Sequence, residues 1–301
     1  MRASSPSDPI DRSHPILFIG IPLFNNAGTL RRTLDGILSQ TEQRFRVLMS
    51  DDGSTDDTVA IARDYERRDP RFSVFVQPVN LNYGNFRFLL GAAKEPFFVY
   101  LAGDDWWEPT FLQACIEGLT ADPDAVCVTT KVRFDAPDGH AVGGDGTRTL
   151  DGSLIDRLAR YLRNPLDNSR MYGVFRLATA TRAFPVHDYF AFDWCFSAAS
   201  LLEGTHREVP SPLLNRKLTP SSAYIRYVRR DNKTLVTRLF PLLPLTMDLI
   251  RRPGFPMAWP VLRALLLQNL DFHLAYARHS LPRYHRFAEP ILLRIIWRFG
   301  K

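Results

Sequence analysis

The chain has 301 residues, of which 45% are hydrophobic and 23% are charged, fractions typical of a globular protein rather than a disordered or fibrous one. Its net charge of +6 lies at the end of the chain, because residues 251–301 hold nine Lys or Arg and two acids, whereas the residues before them hold 29 and 30. The basic character is local, so we expect no nucleic-acid partner.

The sequence predicts neither a disulfide framework nor a membrane-spanning helix. Its cysteines, Cys115, Cys127 and Cys195, are unclustered and lie in apolar segments, as expected for reduced thiols of a cytoplasmic protein. Charged residues and prolines interrupt the two most apolar late segments, 235–250 and 257–270. Residues 1–14 lack the apolar core of a secretory signal and are expected to form a disordered arm.

The first part of the chain alternates short apolar runs with amphipathic segments. Strands are predicted at 16–21, 45–49, 71–77 and 96–102, and helices begin at Thr29, near Val59 and at Phe86. This alternation implies crossover connections and a mainly parallel sheet, which binds ligands at the carboxyl ends of its strands. Three of the four strands end in polar clusters, at 22–26, 51–58 and 102–106, which should lie together.

The later elements are less regular. A helix at 111–119 and a strand at 125–132 come before a loop at 135–152 that is dense in Gly and Asp. Helices follow near 154–162 and 192–202, with a further segment at 171–179 between them. From about residue 235, apolar and basic helical segments are separated by Pro, and this compositional shift predicts a boundary.

Two adjacent carboxylates, Asp104 and Asp105, end the apolar run of the fourth strand. Like charges at the end of a buried strand repel each other and lose hydration, so a divalent metal is one reason for their presence. The other reason is that they open a turn and cap the helix that begins near Pro109. The local sequence leaves both explanations open.

The Asp-rich loop after the second strand, 51–58, matches neither a calcium loop nor a phosphate loop. It lacks a distal Glu at the required spacing, and it has one Gly and no Lys. A strand-to-helix turn capped by Ser54 or Asp56 accounts for the backbone but not for Asp51 and Asp52. A carboxylate here can accept hydrogen bonds from a nucleobase.

Four segments together carry a family resemblance: ILFIGIPLFN at 16–25, ILSQT at 37–41, VLMSDDGSTD at 47–56 and AKEPFFVYLAGDD at 93–105. In this order and spacing they resemble the nucleotide-binding half of family 2 glycosyltransferases, over roughly residues 15–120. The resemblance implies the α/β GT-A fold, a Rossmann-like, mostly parallel sheet flanked by helices. The expected parts are a catalytic domain at 15–232, divided at residue 120 into donor and acceptor halves, and a basic helical C-terminal region at 233–301.

The resemblance also implies roles for individual residues. Pro22 and Phe24, with the adjacent Asn25, would line the nucleoside pocket, and Asp52 would bind the base. Asp105 would be a metal ligand, with Asp104 near the ribose or the metal-bound waters. The first Asp of the family's Asp-x-Asp motif is replaced by Gly103, so Asp105 should be the main protein ligand of the metal. Arg87 would either contact the diphosphate or lie on a solvated helix face.

Asp193 is the predicted catalytic base, because an unpaired carboxylate would be costly in the aromatic stretch 188–196. The resemblance supports it, since relatives carry an Asp that opens a helix before an Arg-rich loop, here 215–217. The alternatives are that Asp193 caps a helix or pairs with an Arg, in which case Asp188 is the second choice. Arg216 would close over the diphosphate or remain solvated.

Together these features predict an inverting glycosyltransferase that uses Mg²⁺ or Mn²⁺. It would move one hexosyl or deoxyhexosyl group from a nucleotide-diphosphate sugar to a hydroxyl of a glycan or lipid-linked acceptor, in bacterial surface polysaccharide synthesis. The alternative is a non-catalytic nucleotide-sugar-binding protein. Either Trp106 or Trp107 stacks on a sugar, or both pack in the core. The basic C-terminal region would contact the inner face of the membrane, cap the catalytic domain or form a homodimer contact.

Overall fold

The computed structural model describes residues 14–135, 141–218, 228 and 234–300. Apart from His14, the predicted arm at 1–14 lies outside these residues. All three cysteines are buried free thiols, as the sequence predicted.

Four parallel strands form the donor half of the sheet, in the order β3-β2-β1-β4. Their bounds are Leu17–Leu23 for β1, Phe45–Asp51 for β2, Phe72–Val76 for β3 and Phe97–Tyr100 for β4. The connecting helices are α1 (Leu30–Leu38), α2 (Thr58–Arg68) and α3 (Gly84–Gly91), and α4 (Phe111–Ala121) follows. The predicted alternation and parallel pairing are confirmed.

The sheet continues from β4 through strands of mixed direction, in the order β8-β6-β9-β5. These are β5 (Trp106–Trp107), β6 (Ala125–Asp135), β8 (Val174–Arg176) and β9 (Thr205–Lys217), and β7 (Ala141–Gly144) pairs with β6. The helices of this half are α5 (Leu154–Arg163), α6 (Leu177–Ala183) and α7 (Phe192–Ser200), with a 3-10 helix at Ser169–Tyr172.

Two predictions about this half were wrong. The segment 135–152, expected to be a loop, contains β7, and the expected Arg-rich loop at 215–217 is the end of β9. The prolines at 210 and 212 argue against a strand, but β9 accommodates them where its register with β6 shifts. The bulged pairing also removes the alternation of buried and exposed side chains that would have identified the strand.

Side chains of β1 alternate between two hydrophobic clusters, one on each face of the sheet. Leu17 and Ile19 face the cluster that contains Phe111, whereas Phe18 faces the one that contains Phe196. Strands covered on both faces are expected for a parallel sheet flanked by helices.

The C-terminal region consists of α8 (Leu235–Leu239), α9 (Leu243–Arg251), α10 (Trp259–Ser280) and α11 (Pro282–Gly300). Helix α10 packs on α5, and α9 packs on α7. Leu245 and Leu265 belong to the same hydrophobic cluster as Phe196, so these helices cap the catalytic region. Whether they form a separate domain from residue 233 stays a prediction. Among the described residues, no helix is long and apolar enough to span a membrane.

Candidate active site

A cavity of about 550 Å³ opens at the carboxyl ends of β1, β2 and β4. One wall comes from the loops that follow these strands and β3, and the opposite wall comes from the 3-10 helix and the start of α7. The walls contain Pro22, Leu23, Phe24, Asn26, Asp52, Asn80, Asn82, Tyr83, Asn85, Phe86, Ala102, Gly103, Asp104, Met171, Tyr172, Phe190, Ala191, Phe192, Asp193 and Trp194.

Three residues predicted for nucleotide binding, Pro22, Phe24 and Asp52, lie on the first wall. Phe24 is 53% exposed, so one ring face is available to a ligand. Asp52 is buried, and its two carboxylate oxygens accept the backbone N–H groups of Leu81 and Asn82 at 2.6 and 2.8 Å. Asp52 thereby fixes the loop after β3 against the end of β2.

The neighbouring Asp51, which the turn explanation of this loop left unaccounted for, has a structural role. It is fully buried, and one oxygen accepts the N–H groups of Gly53 and Ser54 at 3.1 and 3.0 Å. The other oxygen accepts the Ser54 hydroxyl. Gly53 has φ +88°, a conformation that glycine adopts at little cost.

Asp104 and Asp105 have different surroundings. Asp104 lies on the cavity wall, whereas Asp105 is 2% exposed and forms an ion pair with Arg216, Nε to Oδ2 at 3.0 Å. The other oxygen of Asp105 accepts the backbone N–H of Lys217 at 3.1 Å. Burial raises the pKa of Asp105 to about 6, although the charge of Arg216 acts in the opposite direction. Each oxygen of Asp105 therefore accepts one hydrogen bond from β9.

Gly103 lies against the loop that follows β1, which explains the missing first carboxylate of the motif. A Cβ atom at this position would lie 2.7 Å from Cγ of Asn26 and 2.8 Å from Cδ2 of Leu23. Thr29 donates its hydroxyl to the Gly103 carbonyl at 2.8 Å and holds the two loops together. A side chain at 103 therefore requires the side chains of Asn26 and Leu23 to shift.

The cavity wall offers a divalent cation few protein ligands. The described residues contain no cluster of three or more His, Cys, Asp or Glu side chains arranged to hold a metal. Mg²⁺ is commonly held by one or two carboxylates together with water and substrate phosphates. Asp104 would provide one such carboxylate. Asp105 is buried in its ion pair with Arg216 and is not on the cavity wall, so it would have to separate from Arg216 to reach a cation there. Its assignment as the main metal ligand stays a prediction.

The opposite wall carries Asp193, in the first turn of α7. The residue before this helix, Ala191, has φ 64°, a conformation that is unfavourable for alanine. The carboxylate of Asp193 accepts a hydrogen bond from Nδ2 of Asn168 at 3.0 Å, and burial raises its pKa. Tyr172 and Trp194 lie beside it on the wall.

Three predicted donor-binding residues, Asn25, Arg87 and Arg216, are not on the cavity wall. Asn25 joins the loops after β1 and β2, since its Oδ1 accepts the N–H of Thr55 at 2.9 Å. Arg87 pairs with Asp188, Nη2 to Oδ1 at 2.6 Å. Asp188, the second choice for the catalytic base, therefore already has an ion-pair partner.

Trp106 and Trp107 also lie away from the cavity wall. Trp107 stacks on Phe111 with ring centroids 4.7 Å apart, and the guanidinium of Arg32 lies over Trp106. These contacts favour the packing explanation of the Trp pair over sugar stacking.

Sequence reasoning missed the asparagines that follow β3, in its loop and at the start of α3. Asn80, Asn82 and Asn85 line the cavity. The signal was present, because they form a polar cluster directly after the third strand, as at the other strand ends. Asn168 gave no comparable signal, since its partner Asp193 is 25 residues away.

This mostly parallel α/β sheet, flanked by helices and with a cavity at the carboxyl ends of its strands, has the GT-A fold of glycosyltransferases, as the similarity to solved structures shows. S. aureus TarS 1-349 in complex with UDP-GlcNAc aligns with a TM-score of 0.58 and 14% identity, over 95% of this chain and 92% of that chain. The mannosyltransferase PcManGT from Pyrobaculum calidifontis, in complex with GDP-Man and Mn²⁺, aligns with a TM-score of 0.57 and 19% identity, over 95% and 82%. The predicted fold is confirmed.

Residues 18–176 match the family described as glycosyl transferase family 2, and the chain belongs to that family. Chondroitin synthase of Pasteurella multocida is 30% identical over 138 residues, which are 44% of this chain and 14% of that protein. The putative glycosyltransferase EpsH of Bacillus subtilis is 24% identical over 229 residues, 72% of this chain and 64% of that protein. The chain thus spans only part of the length of these relatives.

Proposed function

We propose that the cavity binds a nucleotide-diphosphate sugar and that the protein transfers one sugar from it to an acceptor hydroxyl with inversion. The observation that carries the proposal is that one cavity joins Phe24 and Asp52, at the strand ends, with the carboxylate of Asp193 on the opposite wall. The donors named for the neighbours, UDP-GlcNAc and GDP-Man, are nucleotide-diphosphate sugars. A hexosyl or deoxyhexosyl donor would suit the same cavity.

On the donor side, the ring of Phe24 and the backbone at Pro22 would contact the nucleoside. Asp52 would accept a hydrogen bond from the base while it continues to hold the loop after β3, because each carboxylate oxygen has two lone pairs and only one is used. We leave Asn25, Arg87 and Arg216 out of the immediate donor contacts, since their side chains have other partners.

Mg²⁺ or Mn²⁺ would be held by Asp104, and by Asp105 if its ion pair with Arg216 separates. A divalent cation here would neutralise the charge that develops on the diphosphate leaving group. Gly103 supplies no carboxylate, so the protein contributes few ligands, and the donor diphosphate would contribute the others.

Asp193 would act as the general base. The acceptor oxygen attacks the anomeric carbon as the bond from that carbon to the diphosphate breaks, and the hydroxyl proton moves to the Asp193 carboxylate. The raised pKa of Asp193 suits this step, because a base accepts a proton more readily as its pKa approaches the working pH. The acid is then regenerated as carboxylate by loss of the proton to water.

The acceptor would be a glycan or a lipid-linked sugar, as in bacterial surface polysaccharide synthesis. The wall beside Asp193 supports a sugar acceptor, since it carries two partly exposed aromatic residues, Tyr172 and Trp194, and sugar rings pack on aromatic side chains. The named activity of the Pasteurella relative, chondroitin synthesis, is also polysaccharide assembly.

We further propose that the protein works in the cytoplasm, with α11 on the inner face of the membrane. Tyr284 and Ile291, one heptad apart, are 41% and 50% exposed, and Arg283, Arg286 and Arg294 are exposed on the same helix. Apolar and cationic side chains together favour an anionic lipid surface. Co-flotation with phosphatidylglycerol vesicles but not phosphatidylcholine vesicles would support this. Dimerisation through α11 would instead appear as a doubled mass in light scattering.

The test of the main proposal has two parts. Thermal shift is measured with Mn²⁺ and a panel of UDP-GlcNAc, UDP-glucose, UDP-galactose, GDP-mannose and dTDP-rhamnose, and nucleotide release is then measured with the donor that stabilises most. We expect one donor to raise the Tm and to be hydrolysed slowly by water, and Asp193→Asn to bind it without hydrolysis. Stabilisation without release by the unmodified protein would favour the non-catalytic alternative, and no stabilisation by any donor would refute both.

A further inference from the structure

The carboxylate of Asp193 is the end of a chain of hydrogen bonds that reaches into the core. Nδ2 of Asn168 donates to Oδ2 of Asp193 at 3.0 Å, and the phenol of Tyr161, on α5, donates to Oδ1 of Asn168 at 2.8 Å. Asn168 is 2% exposed and Tyr161 is 1% exposed, so bulk water does not compete for the bond between them.

The charge of Asp193 fixes the orientation of the Asn168 amide. An ionised carboxylate can only accept a hydrogen bond, so Asp193 requires the amide nitrogen. The amide oxygen then faces Tyr161, whose phenol stays protonated because burial raises its pKa well above the ordinary value. The phenol can therefore donate to the amide oxygen at 2.8 Å, although the carbonyl of Trp194 also lies within reach at 3.3 Å.

The backbone at Asn168 fits this role. Its φ of 48° and ψ of 30° are left-handed values, which Asn tolerates better than most residues. The next residue, Ser169, accepts a hydrogen bond from Arg216 at 2.9 Å, and Arg216 pairs with Asp105. Two consecutive residues are therefore linked to both carboxylates, Asn168 directly to Asp193 and Ser169 to Asp105 through Arg216.

We propose that Asn168 and Tyr161 are positioning residues for Asp193. Asn168 binds one carboxylate oxygen and leaves the other for the acceptor hydroxyl, and Tyr161 holds the amide in place by donating to its oxygen. This inference rests on the proposed role of Asp193 as the base.

Loss of the hydrogen bond has a measurable electrostatic consequence. Donation from Asn168 stabilises the ionised form of Asp193 and opposes the effect of burial on its pKa. The other ionisable groups around Asp193 are Tyr161, Tyr172 on the 3-10 helix and Arg216 on β9. Burial keeps both phenols neutral, and Arg216 remains in place. Removing the Asn168 amide should therefore raise the pKa of Asp193.

The experiment compares Tyr161→Phe and Asn168→Gly with a control, Leu166→Gly. Glycine suits the left-handed backbone at 168, so the loss of the amide is not confounded with strain. Leu166 lies in the same loop, has φ 56° and is 40% exposed, so Leu166→Gly loosens the loop without touching Asp193. Nucleotide release to water is measured for the donor panel with Mn²⁺ across the acid and neutral pH range.

We expect Tyr161→Phe and Asn168→Gly to lower kcat about ten-fold and to move the acid limb of kcat upward by about one pH unit. The donor KM and the donor-induced Tm shift should stay unchanged, and Leu166→Gly should behave like the unmodified protein. An unmoved acid limb in both variants, with or without a lower Tm, overturns the inference, as does an equal effect in Leu166→Gly. If Asp193→Asn releases nucleotide at the normal rate, the proposed base itself is wrong, a result distinct from the failure of its positioning residues.

Discussion

Restoring the first carboxylate of the family motif with Gly103→Asp should destabilise the protein rather than improve its metal site. The new Cβ atom would lie 2.7 Å from Cγ of Asn26 and 2.8 Å from Cδ2 of Leu23. Leu23 is 1% exposed in β1, and Asn26 is held by two hydrogen bonds, from the N–H of Phe24 to its Oδ1 and from its own N–H to Thr58. Neither neighbour can move freely.

The expected size follows from overpacking. Forcing extra atoms into a packed site costs about 1–3 kcal/mol, and in a large domain each kcal/mol lowers the Tm by about 2–4 °C. Gly103→Ala should therefore lower the Tm by roughly 2–12 °C. Gly103→Asp should lower it further, because the new carboxylate is added beside Asp104 and Asp105.

Calorimetry and Mn²⁺ titration would test this, with Gly28→Ala as the matched control. Gly28 lies in the same loop after β1, but a Cβ atom there would meet no heavy atom within 4 Å. The Tm of Gly28→Ala should therefore differ little from that of the unmodified protein. If Gly103→Asp kept the normal Tm and bound Mn²⁺ more tightly, the loop would be shown to yield, and steric exclusion would not explain the glycine.

Three further predictions concern the opposite walls of the cavity. Burial raises the pKa of Asp193, and a general base must be ionised to accept a proton. The acid limb of the pH–rate profile should therefore have a midpoint above the ordinary aspartate pKa of about 3.9. A midpoint at the ordinary pKa would contradict this assignment. Asp52→Asn would turn an NH₂ group toward the N–H of Leu81 or Asn82, which costs about 1–3 kcal/mol. It should lower both the Tm and the affinity for the donor. A variant that keeps the normal Tm and the normal donor affinity would contradict the proposal. EDTA should abolish nucleotide release, Mn²⁺ should restore it, and Asp104→Ala should raise the Mn²⁺ concentration required, whereas full activity in EDTA would exclude the metal proposal.

The donor half of the fold follows from the sequence because its strands are short, continuous apolar runs. Residues 16–21 and 45–49 predict β1 and β2 to within two residues at each end, since both faces of these strands are buried. The acceptor half does not follow in the same way. Strand β9 carries prolines and charged side chains and is held by bulged, long-range pairing with β6, which no local pattern encodes.

The site residues, like the fold, differ in how far the sequence predicts them. Phe24 and Asp52 directly follow β1 and β2, and Asp104 lies in the loop after β4, so the order of the strands brings them together on one wall. Arg216 and Arg87 could not be placed, because the partners that hold them, Asp105 and Asp188, are 111 and 101 residues away. Local sequence shows that an arginine is present but not which carboxylate it meets.

The ion pair between Asp105 and Arg216 limits what a mutation of Asp105 can show about the proposed metal site. Their side chains are 3% and 17% exposed, so Asp105→Ala would leave a nearly buried guanidinium without its carboxylate. Breaking such a pair on one side costs about 3–5 kcal/mol, whether or not a metal binds. Loss of activity in Asp105→Ala is therefore expected from both a metal ligand and a purely structural ion pair. Asp104, which lies on the cavity wall, is the residue whose replacement distinguishes the two through Mn²⁺ affinity.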